Sequence, residues 1–320
     1  MKDKPSWEAW LSTWPTLTGR KKAQVLESLK ECSESPHKSQ FAEARVFKTL
    51  VMGDDDRESL TEDEKKVPEF RQVGLVSGKM VSLATSLVTG KNCDVVITNG
   101  HVVVGVDGEI RSKESEGFFK FHTDFKAGRA NEFTKMYIVD TGYLPLGYKG
   151  EKNRDDWAIL RLEEPVFENC QHIPFTAYED IGSECSKEGE LVTVGTHKGD
   201  YEEKKINRSC KMFKPDPNES TDDIEKYSIK HDCDTGMFSS GSPIYCKTPG
   251  GDLRLIGVNN AGVTSKLTDK EIDSLYERFG QPGPEADPES HYNLAVSFWG
   301  KFGSALAQEL RKSEIRSRSR

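Results

Sequence analysis

The chain has no apolar run long enough to cross a bilayer, so no membrane-spanning helix is expected. It also lacks excess positive charge. A net charge of −8 at pH 7 argues against a general binder of nucleic acid or of anionic membranes. No C-x-x-C pair occurs among Cys32, Cys93, Cys170, Cys185, Cys210, Cys233 and Cys246, so the spacing of a structural zinc site is missing. Seven cysteines leave at least one unpaired. The opening stretch Met1-Lys2-Asp3-Lys4-Pro5-Ser6-Trp7-Glu8 lacks the apolar core of a secretion signal. These features predict synthesis for the cell interior and free thiols in preference to disulfides. No internal repeat stands out.

What is present is a chain of 320 residues, enough for one or two domains and a substantial core. Apolar residues make up 35% and charged residues 31%, the balance of a soluble protein with polar insertions. Residues 1–70 read as a polar, helical extension. Trp7, Trp10, Leu11 and Trp14 recur at helical spacing until Pro15 interrupts them, and a second helix is predicted from Thr18 to Cys32. A helical extension packed on the main domain is one reading of this part, and a partner-binding or regulatory segment is the other. Gly53 to Lys66 reads as a solvated, mostly acidic linker.

From Val73 the texture changes to short β-rich runs between turn signals. They are Val81–Val88, Asp94–Thr98, Lys135–Val139, Ala158–Leu162, Leu191–Val194, Tyr227–Lys230, Leu253–Val258 and Leu294–Phe298. Such spacing predicts a mainly β protein, a barrel or a sandwich. Thr268 to Gly280 reads as a helical insertion. Trp299 to Lys312 reads as a closing helix with Phe302, Leu306 and Leu310 on one face, and 313–320 as a basic, disordered tail.

The chemistry concentrates in three places. "DCDTGMFSSGSPIY", residues 232–245, sets a Ser-Gly turn tightly against an apolar strand, where a hydroxyl can be held still beside two backbone N–H groups. A serine needs a base, and His101 follows the apolar strand and turn "CDVVITNG". A base needs an orienter, and Asp156 immediately precedes the strand that begins at Trp157, with Asp155 as the alternative carboxylate.

In the order His, Asp, Ser, these segments resemble the chymotrypsin-like (trypsin-fold) serine peptidases. The likeness is greatest to a divergent branch whose serine motif reads Cys-Asp-Thr…Ser-Gly-Ser-Pro, and it covers roughly Val73 to Leu310. The resemblance implies two six-stranded antiparallel β-barrels, about Val73–Glu168 and Asn169–Phe298, within a peptidase domain spanning 71–312. It implies Ser240 as nucleophile, since Ser239 and Ser242 do not stand directly before Gly-Ser-Pro. It implies His101 as base and Asp156 as orienter, with an oxyanion hole from the backbone N–H groups of Ser240 and Phe238. The family has glycine where this chain has Phe238, which motivates a second reading: a catalytically impaired fold used as a protein-binding module. Ser239 replaces the aspartate on which zymogen activation depends in trypsin-type enzymes.

The substrate pocket implied by the resemblance is lined by 234–238 and by Asn260, Ala261 and Gly262. Asp234 in its base would select Lys or Arg, or would instead be structural; Thr235 follows it. Asn259 replaces the histidine of glutamyl-specific relatives, which disfavours Glu selectivity. His197 and His231 read as surface or structural residues. Relatives suggest Cys210–Cys233 as a disulfide, and Cys185–Cys246 is a second candidate pair. No metal or organic cofactor is implied. The partner expected is a protein or peptide substrate.

Overall fold

The computed structural model describes residues 45–47, 51–77, 84–104, 120–122, 136–143, 155–168, 170–195, 204–213, 227–236, 239–264, 286–287 and 291–318. Along these the chain forms β1 (Arg45–Phe47), β2 (Glu58–Ser59), β3 (Val73–Ser77), β4 (Ala84–Thr89), β5 (Val95–Thr98), β6 (Lys120–His122) and β7 (Met136–Tyr143). Then follow β8 (Ala158–Leu162), β9 (Leu191–Gly195), β10 (Lys205–Asn207), β11 (Ser228–His231), β12 (Pro243–Lys247), β13 (Leu253–Thr264) and β14 (His291–Ser297). The helices predicted before Cys32 and at 268–280 lie outside the described residues, as does Cys32.

The strands make two antiparallel sheets. β3-β4-β5-β8-β7-β6 close into a six-stranded barrel. The second sheet has eight strands in the order β11-β14-β13-β12-β9-β10-β2, with β1 added on β13. The mainly β expectation therefore holds. The expected second six-stranded barrel is replaced, among the described residues, by this larger sheet, because the segment before Val73 contributes two strands to it. Gly53–Lys66 is accordingly not a free linker. Arg208 grips the Glu64 carboxylate with Nη2 at 2.6 and 2.7 Å and also pairs with Glu58. Asp56 accepts from Asn207 Nδ2 and from Ser209 Oγ, both at 2.7 Å.

Period-two alternation explains how the sheets meet. In β5 and β8, Val95, Ile97 and Ile159 face a core shared with the second sheet, where Val192, Val194, Tyr245, Val258 and Phe298 join them. Val96, Ala158 and Leu160 face a separate cluster within the first sheet, with Val88, Val102 and Val103. Both faces are buried, so β5 reads as an unbroken β-branched run. Each fully buried side chain of this kind contributes about 1.5–3 kcal/mol.

The C-terminal helix Lys301–Arg318 packs Phe302 flat on Trp157, ring centroids 4.8 Å apart, and buries Ala305 and Leu306. It continues past residue 312, against the expectation of a frayed tail. Ser313 donates to Asp94 at 2.6 Å and Arg316 pairs with the other oxygen of Asp94 at 2.6 Å. Polar spacing concealed this contact, because Asp94 meets it from the far end of the sequence.

Three disulfides join Cys93–Cys170, Cys185–Cys246 and Cys210–Cys233. They overturn the expectation of free thiols, and disulfides belong to the chemistry of oxidising compartments. Two of the pairs were candidates from the sequence. Cys93–Cys170 was not, since 77 residues separate its members. No described helix is long and apolar enough to cross a membrane.

Candidate active site

β5 and β8 pair antiparallel with Thr98 opposite Ala158. That register sets the end of one strand beside the start of the other. The short helix Gly100–Val103 follows β5 and carries His101, while Asp156 stands two residues before β8. The two side chains therefore meet. Asp156 Oδ2 lies 2.6 Å from His101 Nδ1, and Oδ1 accepts the backbone N–H of His101 at 2.7 Å. Asn99 Nδ2 donates to the Asp156 carbonyl at 3.0 Å. Asp156 is fully buried and the His101 side chain is 16% exposed, so the imidazole is held from within and open from outside. A carboxylate on Nδ1 fixes the proton there and leaves Nε2 as the free base. Asp155 is exposed, which separates the two neighbouring acids.

The second sheet brings the serine turn to the same end of the barrel. Gly241 has φ +81°, a conformation suited to glycine, and a Cβ there would collide with the Thr85 carbonyl and sit 2.6 Å from Thr98 Oγ1. Thr98 lies three residues before His101. Only a turn without a side chain comes this close to the barrel, and Ser240 precedes that glycine.

Behind Ser240 the turn is tied down. Ser239 Oγ donates to the Gly236 carbonyl at 2.6 Å and accepts the Gly236 N–H at 3.1 Å. Asn259 Nδ2 reaches Ser239 O and Oγ at 3.2 and 3.3 Å. Gly241 N–H donates to Asn259 O at 2.8 Å, and Asn259 N–H donates to Ser242 O at 2.8 Å. The roles of Ser239 and Asn259 went unread in the sequence, where Asn259 marked only the absence of a histidine. Phe238, the expected second oxyanion donor, lies outside the described residues, as does His197.

Asp234 is engaged by the chain's own N-terminal segment. It is 2% exposed, and its oxygens accept the backbone N–H of Met52 at 2.7 Å and of Asp56 at 2.9 Å. Burial pushes its carboxyl up to about 8, the neighbouring Asp56 adds to the rise, and the two N–H bonds oppose it. The crevice beside it is lined by Thr235, Ser239 and Ser242, and also by Arg57 from the N-terminal segment. Asn260, Ala261 and Gly262 lie on β13 as expected but are buried. His231 is fully buried, and burial pushes its imidazole down to about 3 against a smaller opposite effect of Asn259. Among the described residues no cluster of metal-ligating side chains occurs.

One similar solved structure is described as that of a Glu endopeptidase in complex with MPD. It is 15% identical, with a TM-score of 0.48, covering 72% of this chain and 100% of that one. No family model matches the chain, and no curated protein does. The functional reading therefore stands on the chain's own geometry.

Proposed function

We propose that this protein is a serine endopeptidase of the trypsin-like fold that hydrolyses peptide bonds through an acyl-enzyme. The observation that carries the reading is the two-point hold of the buried Asp156 on His101, at the barrel end against which the Ser240 turn packs. In this reading His101 Nε2 takes the Ser240 hydroxyl proton as Oγ attacks the scissile carbonyl. The proton then passes to the leaving amine, Asp156 stabilises the imidazolium, and water repeats the sequence on the ester. The N–H of Ser240 supplies one donor to the oxyanion.

No Lys or Arg preference is assigned to Asp234, because both of its oxygens already hold the chain's own backbone. The rival reading, a binding module without turnover, rests on the identity of Phe238 alone. Hydrolysis of a mixed library of internally quenched peptides decides between them. The account expects turnover by the native chain and none by Ser240→Ala; cleavage that persists in Ser240→Ala sinks the assignment.

A further inference from the structure

β13 is longer than the strands beside it, and its free edge is occupied in an informative way. On one side β14 covers Gly257 to Thr264. On the other side β12 ends with Pro243 opposite Val258. Past that point the edge meets the Ser240 turn, through the backbone of Asn259. Asn260 and Ala261 come next. Then β1 pairs antiparallel, with Phe47 opposite Gly262, Val46 opposite Val263 and Arg45 opposite Thr264. Because β14 holds the opposite edge at these same residues, β1 lies in the lane of β12. It runs in the same direction as β12, with its C-terminal end aimed at the Ser240 turn.

The resemblance implies a substrate edge at Asn260, Ala261 and Gly262, so in the peptidase reading an extended peptide that offers a carbonyl to Ser240 competes for this lane. Strand addition supplies main-chain hydrogen bonds regardless of sequence. Here part of that template is already used. Asn260 is 4% exposed and Ala261 fully buried. A few residues after β1 the chain is fastened again, by the bonds of Met52 and Asp56 to Asp234. Arg57 then lines the crevice beside Ser239 and Ser242.

We propose that β1, with the Met52–Asp56 segment anchored on Asp234, is a built-in occupant of the peptide-binding edge of β13 and holds the chain in an inhibited state. This rests on the peptidase reading above. The His101–Asp156 pair stays assembled; an extended peptide must displace the segment, which raises its KM without abolishing turnover. A segment tethered this closely competes at an effective concentration on the order of millimolar, enough to displace ordinary peptide substrates. A small electrophile that needs only the Ser240 hydroxyl is not excluded.

The test compares the full chain with its double variant Val46→Pro, Phe47→Pro. Hydrogen-bonded and non-bonded pairs alternate along an antiparallel ladder, so the two prolines remove a β1 donor in either phase. Each protein is given a small fluorophosphonate and a quenched peptide long enough to lie along β13. The proposal expects the variant's kcat/KM for the long peptide to rise about tenfold or more, mainly through KM, with fluorophosphonate labelling unchanged. Labelling of both proteins with equal or lower peptide turnover in the variant overturns it, and makes β1 a structural strand. Absence of labelling in both proteins instead contradicts the peptidase reading.

Hydrogen exchange on the unmodified chain gives the same answer if the variant does not fold. A peptidyl phosphonate should either be refused, while the small fluorophosphonate reacts, or should deprotect residues 45–47 as it reacts. Reaction with those amides still protected overturns the proposal.

Discussion

Asp156 holds His101 at two atoms, accepting its backbone N–H at 2.7 Å and facing its Nδ1 at 2.6 Å. The first bond fixes where the residue starts and the second fixes which nitrogen carries the proton. Asp156→Asn keeps the shape but presents an amide to Nδ1 and favours the wrong tautomer. The expected result is a fall in kcat of about 10⁴ with little change in KM. Steady-state kinetics on one peptide checks it; a loss below tenfold would show that the pair is structural.

Ser239 should act on kcat without touching substrate. Its hydroxyl links Gly236 and Asn259, and Ser239→Ala leaves the Gly236 N–H without that acceptor. Losing one such hydrogen bond costs about 0.5–1.5 kcal/mol. Thermal melting should show that loss, and kcat should fall more than KM changes. Rescue by Ser239→Thr, which restores the hydroxyl, separates positioning from general destabilisation. An unchanged kcat in Ser239→Ala contradicts the role.

Stability should depend on pH through two buried groups of opposite slope. His231 sits at about 3 in the folded chain against 6.5 for the free side chain. The unfolded chain therefore binds the extra proton between those values, and stability falls as pH drops from 6.5 towards 3. Asp234 sits at about 8 against 3.8, so the folded chain holds the extra proton and stability falls as pH rises from about 4 to 8. Between about pH 4 and 6.5 the two effects oppose each other, so urea unfolding across pH 4–9 should show the fall between 6.5 and 8 flattened in Asp234→Asn and a new fall between 4 and 6.5 in His231→Gln. Unaltered slopes in both variants would contradict the assignments.

Removing Cys210–Cys233 should loosen the approach to the serine turn, because Asp234 follows Cys233 directly. A bridge closing a loop of this size contributes about 3 kcal/mol. Cys210→Ser with Cys233→Ser should lower the melting temperature, and dithiothreitol should do the same to the native chain. Identical melting with and without reductant would show that the bridges do not stabilise the fold.

The legible parts of this protein were those carried by local pattern. β8 appears over Ala158–Leu162, as its apolar run indicated, and His101 and Asp156 meet because the strands that carry them pair in register. β6 and β10 span three residues each, too few for an alternation to register. β13 runs on through Asn259 and Asn260 to Thr264, past the Val258 where its apolar pattern stops. The contacts of Asp234 with Met52 and Asp56 span 182 and 178 residues, and nothing local in an acidic stretch announces them. Long-range capture of a polar segment by a buried acid is a tertiary decision that propensity does not encode.

In the peptidase reading, His101 and Asp156 activate Ser240, and a covalent probe reads that activation at one atom. The most direct measurement is mass spectrometry of the native chain after reaction with a fluorophosphonate, beside His101→Ala. The account predicts one adduct, on Ser240, in the native chain and its near absence in His101→Ala. An adduct on another serine, or equal labelling of both proteins, would contradict it.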